Sequence, residues 1–356
     1  MTGEPTRLLV VDDSALYRQT IVNVLRDASD VSIVGVARDG EDALEKITRL
    51  DPDLLTLDVE MPGMNGIEVL REINRRRLRP KAIMVSSLTA DGAQVTTDAL
   101  LEGAFDFILK PSGQDGEENR VRLRESLDEK IAAFRAPDEG TKAGERRLAP
   151  VRTKAPSTVA PTACKAVIIG VSTGGPAALK RVLPSLPGTL PVPVLVVQHM
   201  PSQFTAALAR RLDDMCDLDV AEAANGTEAR AGKVLIAPGG KQMKLIRRND
   251  RVLAKLTNDP PENGCRPSVD YLLRSAGRVF EGEALGVIMT GMGRDGLEGC
   301  RALKERGGRV FAQHPSGCVV YGMPKAIIDN DIADRVLPLS RIGPGIVSHL
   351  ERSRRG

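Results

Sequence analysis

Short apolar runs alternate along the chain with longer stretches in which apolar positions return every three or four residues, the pattern of buried parallel strands separated by amphipathic helices. In the first 135 residues, strands are predicted at Leu8–Val11, Val31–Val36, Leu54–Leu57, Ala82–Val85 and Phe107–Leu109. Helices are expected between and after them, at Ala15–Ala28, Gly40–Arg49, Gly66–Arg76, Ala93–Glu102 and Glu117–Phe134. From Cys164 onward the alternation resumes, with strands expected at Ala166–Ile169, Val194–Val197, Lys233–Ile236, Ala284–Met289, Arg309–Ala312 and Arg335–Leu337. Met243–Ile246 and Arg251–Leu256 flank the turn-forming "RRND" and predict a small hairpin. The fold class is therefore α/β twice over: a flavodoxin-like five-stranded parallel sheet, then a doubly wound, mostly parallel α/β domain.

The two halves are separated by residues 136–163, a stretch with four prolines, many small or charged residues and almost no large apolar side chains. It cannot bury enough surface to offset its ordering entropy and reads as an extended linker. The expected domains are thus 1–135, the linker 136–163, a second domain 164–350, and a basic tail 351–356. A length of 356 residues suits two domains. The net charge of +3 and the scattered basic knots at Arg75–Arg77 and Arg352–Arg355 give no nucleic-acid footprint. Five dispersed cysteines without a C-x-x-C spacing point to a reducing compartment. Neither a signal peptide nor a long apolar span is evident, so a cytoplasmic protein without membrane insertion is expected.

Candidate chemistry gathers at strand ends, where open parallel sheets place their ligands. Asp12 and Asp13 end the first strand in "VVDDS", Asp58 ends the third in "LDVEMPGMNG", Ser86 the fourth in "IMVSS", and Lys110 the fifth in "FILKP". Three carboxylates in one crevice call for a shared cation, and Mg2+ suits oxygen ligands with room for phosphate. Taken singly, these segments are equally well a helix cap and a turn. Jointly, across residues 5–133, they resemble the receiver domain of two-component response regulators. That resemblance implies that Asp58 accepts a phosphoryl group from a histidine kinase. It further implies that Asp13 and the backbone carbonyl of Glu60 bind Mg2+ with Asp12 in support, and that Ser86 and Lys110 contact the phosphoryl oxygens. Phe107 stands where the family carries an aromatic that reports phosphorylation; a plain core phenylalanine is the other reading.

In the second half, Gly170, Ser172 and Gly174 form G-x-S-x-G between a strand and a helix that opens at Pro176. A bare motif of this kind serves packing or phosphate binding as readily as catalysis. A nucleophilic serine needs a base, and the base an orienting acid. Of three histidines, His199 follows the next strand, His314 follows a later one and competes, and His349 near the C-terminus is expected to be solvated. Asp295, in the glycine-rich "TGMGRDG" after another strand, is the candidate acid, with a turn-capping aspartate as the alternative. The order Ser172, His199, Asp295 is not that of α/β-hydrolases.

The segments "GVSTGGP", "VQHMP", "IAPGG", "RPSVDYLL", "TGMGRDG" and "GCVVYGMPKAI", from about Lys165 to Leu350, resemble the catalytic domain of the CheB family of bacterial chemotaxis methylesterases. The resemblance implies hydrolysis of glutamate γ-methyl esters on chemoreceptor cytoplasmic helices, releasing methanol, and deamidation of particular glutamines. Ser172 would be the nucleophile, His199 the base, Asp295 its orienter, and the Thr173 and Met292 amides the oxyanion donors, with no cofactor at this second site. An unphosphorylated receiver is expected to cover the esterase mouth. Three positions depart from the family pattern: Gln242 and Cys265 stand where relatives often carry histidine, and His314 where acidic surroundings are commoner. Arg266 and Asp270 could line the cleft or form an internal salt bridge. Two other readings stay open on sequence grounds: a phosphorylation-regulated serine hydrolase for another ester or amide, and a non-enzymatic binding output. A DNA-binding output finds no helix-turn-helix.

Overall fold

The computed structural model describes residues 4–87, 89–113, 115–136 and 163–354. Apart from its two end residues, the expected linker lies outside these. The chain divides after Ala136 into two units.

In the first unit, β1 (Thr6–Val11), β2 (Val31–Ala37), β3 (Leu54–Asp58), β4 (Lys81–Ser86) and β5 (Asp106–Leu109) form a parallel sheet in the order β2-β1-β3-β4-β5. Helices α1 (Ala15–Leu25), α2 (Gly40–Leu50), α3 (Gly66–Arg76), α4 (Ala90–Leu101) and α5 (Gly116–Arg135) cover it. Every residue of β3 is buried, Thr56 and Asp58 included, as in a strand packed on both faces. Val11 pairs with Leu57, so the residues that follow, Asp12 and Asp58, leave the sheet side by side. Ser14 caps α1 by accepting the Tyr17 amide, and Asn65 with Glu68 closes a capping box at α3. These caps fix the two turns that carry the acids.

In the second unit seven strands run parallel: β6 (Ala166–Val171), β7 (Val194–Gln198), β8 (Asp219–Glu222), β9 (Lys233–Ile236), β12 (Ala284–Ile288), β13 (Arg309–Gln313) and β14 (Arg335–Leu337). Their order is β14-β13-β12-β6-β7-β9-β8. The antiparallel hairpin β10 (Gln242–Arg248) and β11 (Arg251–Thr257) stands apart, as anticipated. Strand β8 was not among the expected strands: its sequence, "DVAE", has only one fully buried position, as befits an edge. The helices are α6 (Gly175–Val182), α7 (Ser202–Asp213), α8 (Val269–Val279), α9 (Leu297–Glu305), α10 (Met323–Asp329) and α11 (Leu339–Ser353). Helix α8 buries Val269, Leu272, Leu273 and Ala276, one face at helical spacing, in a core shared with Ile168, Leu195, Met243 and Ile288. Each of the valine and leucine side chains contributes about 1.5–3 kcal/mol by its burial.

Two expectations near the C-terminus change. Helix α11 continues past residue 350 to Ser353, whose side chain is buried and bonds the Leu350 carbonyl. His349 is half-buried rather than solvated: its ring packs edge-on against Phe311 at 5.7 Å. Burial, then the nearby Arg352 and Arg309 charges, push its pKa down to about 4.

Candidate active site

At the carboxyl edge of the first sheet, Asp12, Asp13 and Asp58 present oxygens within 4.8 Å of one another. Lys110, at the end of β5, places Nζ 2.8 Å from Asp58 Oδ2 and 2.9 Å from Asp12 Oδ2. The second contact is off line for a hydrogen bond, so the fully buried Asp12 Oδ2 has no hydrogen-bond partner among the described residues. Its other oxygen accepts the Ser14 amide. Burial raises the Asp58 pKa to about 6, with the Lys110 bond opposing and the Asp12 charge adding to the rise. A buried carboxylate oxygen without a hydrogen bond, beside two further acids, is the donor set a hard divalent cation takes, so the pocket fits Mg2+. Asp13 and Glu60 line one hollow of about 440 Å³ with Val59, Met61, Pro62, Asn65 and Val95. Ser86 is buried, its hydroxyl donating to the Ser87 and Gly92 carbonyls at 3.2 and 3.4 Å. Phe107 is half-buried on β5.

In the second sheet, β6 lies between β12 and β7, where the strand order reverses. This is the switch point at which α/β sheets open a crevice. Val171 pairs with Gln198, so Ser172 and His199 are the next residues off adjacent strands, and the His199 amide bonds the Val171 carbonyl at 3.1 Å. On the other side the Ser172 amide donates to the Thr290 carbonyl at 3.0 Å. Asp295, in the loop after β12, is 2 % exposed, and its Oδ2 lies 2.8 Å from His199 Nε2.

The Asp295 carboxylate is fully engaged. Oδ2 also accepts the Val269 amide at 2.7 Å, while Oδ1 accepts Ser268 Oγ at 2.8 Å, Asn263 Nδ2 at 3.1 Å and the Gly296 and Asp270 amides at 3.1 and 3.2 Å. Burial alone would raise its pKa, but the His199 bond and charge and the helix-terminal donors bring it down to about 2. His199 responds in the opposite sense. Burial disfavours its charged form, yet the bond to Asp295 and the contact with Cys265 outweigh this and lift it to about 9. With Nε2 donating to Asp295, the nitrogen left to act is Nδ1.

The structure joins His199 to Asp295 and sets Ser172 beside them, but the Ser172 hydroxyl bonds neither among the described residues. Nδ1 instead faces Cys265 Sγ at 3.6 Å. Thr173 is buried at the corner after Ser172; Met292 is 39 % exposed, and its amide takes no partner among the described residues. Gly291 approaches the serine so closely that a Cβ there would stand 2.8 Å from Ser172 Cβ. His314 lies outside this group and caps the turn at Pro315–Gly317. Asp270 forms no salt bridge with Arg266. It accepts the Gly299 amide at 2.6 Å and Asn263 Nδ2 at 2.9 Å, and burial with the Asp295 charge raises its pKa to about 6.

Comparison with known proteins decides the family. Residues 167–346 match the CheB methylesterase family and residues 8–122 the response regulator receiver domain. A protein-glutamate methylesterase/protein-glutamine glutaminase of Desulfotalea psychrophila is 45% identical over 96% of this chain and 97% of its own. The chain belongs to the CheB methylesterase family. A CheB relative of the same description from Bacillus licheniformis is 43% identical over 98% of this chain and 99% of its own. The crystal structure of the Thermotoga maritima CheB methylesterase catalytic domain superposes with a TM-score of 0.51 at 42% identity, covering 52% of this chain and 99% of that one.

Within this CheB architecture, reasoning from sequence overlooked several residues around the site. Gln198 Nε2 ties the Ser172 and His199 carbonyls together at 3.0 and 3.1 Å. Thr290 Oγ1 reaches the Thr173 carbonyl at 2.9 Å. Ser268 and Asn263 hold Asp295. Each sits beside a motif that drew attention for another residue, and only the fold turns these side chains inward. Among the described residues no helix is long and apolar enough to cross a membrane.

Proposed function

We propose that the chain is a cytoplasmic, phosphorylation-activated serine hydrolase that removes glutamate γ-methyl esters from chemoreceptor cytoplasmic helices, releasing methanol, and deamidates particular glutamines there. The observation that carries this reading is the His199–Asp295 pair at 2.8 Å on the strand edge next to Ser172. Ser172 Oγ attacks the ester carbonyl, and His199 accepts its proton at Nδ1 and returns it to the leaving methoxide. Asp295 fixes the tautomer with the proton on Nε2 and stabilises the imidazolium. The Thr173 and Met292 amides are the oxyanion donors, each worth about 3 kcal/mol in the transition state. Water then attacks the acyl-serine by the same route in reverse order.

In the receiver, Asp12, Asp13, Asp58 and the Glu60 carbonyl would hold Mg2+, which offsets the charge of the phosphoryl group when bound. Asp58 is the acceptor for a phosphohistidine kinase, with Ser86 and Lys110 as phosphoryl contacts. The Ser86 hydroxyl must leave its carbonyl partners to act so. Lys110, already on Asp58 and Asp12, has only to follow the new charge. The membrane-bound methyl ester supplies the test: methylated receptor membranes incubated with the full chain should release methanol, faster with a Mg2+-supported small phosphodonor. Asp58→Asn should keep the unstimulated rate and lose the stimulation; an Asp58→Asn protein still stimulated would rule out Asp58 as acceptor.

Gly291→Ala offers a second check, since the added methyl would press on Ser172 Cβ and on Met323 Sδ. Overpacking of this kind costs about 1–3 kcal/mol of stability. Displacing a nucleophile by a fraction of an ångström is expected to slow methanol release by up to ~10²-fold. Thermal melting alongside turnover separates the two effects.

A further inference from the structure

The two departures from the family pattern at Gln242 and Cys265 are joined in space. Residues 262–265 form a tight turn in which the Glu262 and Cys265 amides each bond the other's carbonyl, at 3.0 and 2.8 Å. Asn263 and Gly264 take φ of 52° and 75°, the left-handed pair that an Asn-Gly turn is suited to adopt. The turn is anchored on three sides. Arg274 pairs with Glu262, Asn263 Nδ2 bonds Asp270 and Asp295, and Gln242 Nε2 donates to the Cys265 carbonyl at 3.3 Å. Cys265 Sγ is thereby held against the Nδ1 edge of the imidazole. Its thiol proton can go to the Asn263 carbonyl, also at 3.6 Å, so that in the neutral imidazole the Nδ1 lone pair is not taken up by the thiol.

We infer that Cys265 Sγ and His199 Nδ1 form a site for a thiophilic divalent cation, Zn2+ foremost, and that its occupancy shuts off hydrolysis at Ser172. Three features support this. The first is spacing: a tetrahedral zinc with a sulfur ligand at about 2.3 Å and a nitrogen ligand at about 2.1 Å holds them about 3.6 Å apart. That is the separation found between Sγ and Nδ1. The second is the surrounding shell. A ligating histidine ordinarily donates its other ring N–H to a carboxylate, which orients the ring and raises its basicity. Asp295 holds Nε2 in that manner at 2.8 Å. The third is access, because Cys265 is only half-buried, so solvent can fill the remaining coordination positions. The N and S ligand atoms make a softer set than the all-oxygen receiver pocket.

Binding breaks the Cys265 S–H bond and, where the ring is protonated, the His199 Nδ1–H bond; both protons go to solvent as the sulfur–metal and nitrogen–metal bonds form. The imidazole gives its Nδ1 lone pair and keeps its Nε2 proton, donated to Asp295. The same lone pair is the one Ser172 needs, so metal and hydrolysis exclude each other. The inhibition, though not the binding, rests on the proposed role of His199 as base.

Titrating the full chain with Co2+ alone tests the binding. A thiolate-to-cobalt charge-transfer band should appear in the near ultraviolet and be lost in Cys265→Ala and Cys265→Ser, while the carboxylate pocket of the receiver is silent in this band. No band, or a band of equal strength in both variants, overturns the site. Zn2+ should inhibit methanol release reversibly with a chelator. Its half-inhibiting concentration, measured against each protein's own zinc-free rate, should rise at least ~10-fold in the two variants. A band without inhibition would keep the metal site and overturn the base role of His199.

Discussion

Ser172→Ala is expected to lower methanol release from methylated receptor membranes on the order of 10⁶-fold, to the level set by binding and the oxyanion donors alone. The size of the loss follows from the kind of group removed. In the proposed mechanism the serine oxygen forms the covalent bond, and the Thr290 hydroxyl at the neighbouring strand end cannot take its place: it is committed to the Thr173 carbonyl and to the Val319 and Val320 amides. Folding should be little affected, because the Ser172 hydroxyl bonds nothing among the described residues and its backbone bonds to Thr290 and Gly175 survive the change. Comparison of melting temperatures with turnover checks both halves. Methanol release equal to the parent's would remove the serine-hydrolase reading altogether, while retained cleavage of a simple activated ester without methanol release in the parent would point to a different natural substrate.

Asp295→Asn is expected to cost about 10⁴-fold in kcat, with a change in pH dependence that a merely structural lesion would not produce. The amide offers one acceptor oxygen where the carboxylate has two, and the donors now on Oδ1 compete with Nε2–H for it, so the imidazole loses its fixed tautomer. Its charged form also loses the carboxylate that stabilises it. The base is active only when deprotonated, so in the parent the rising limb of kcat/KM follows His199, lifted to about 9. With the carboxylate gone that limb should move down toward the ordinary imidazole range near ~6.5. A rising limb unchanged in Asp295→Asn would show that His199 is not the group observed. Fold retention is the weaker point of this variant, since Asp295 Oδ1 and Oδ2 also hold the amides at the start of α8; circular dichroism on the same sample addresses it.

Much of this was readable in the chain itself because strand ends in a parallel sheet converge, and residues with chemistry at several such ends meet almost of necessity. Asp12 and Asp58, or Ser172 and His199, are neighbours by register alone. What escaped was whatever reaches the site from the side. Asn263 arrives on a turn outside the main sheet, and nothing in its spacing from Ser172 or His199 announces it; Cys265, on the same turn, drew notice only through the family resemblance. Ser268 was hidden by its ordinary role as a helix cap, which it combines with a bond to Asp295. His349 was misjudged because nearness to the terminus suggested exposure, whereas α11 folds its ring onto Phe311. The short β8 was missed because an edge strand needs little apolar pattern.

The central position of β6 bears on how the protein is made. Its neighbour on one side, β12, lies more than a hundred residues further along and brings Asp295 with it. The receiver, by contrast, contains all five of its strands before the second unit begins. Domains emerging from the ribosome fold as units in order of synthesis. A nascent chain would therefore own the complete Asp12, Asp13 and Asp58 pocket well before Ser172, His199 and Asp295 can meet, and a product truncated between the two would carry the first site without the second.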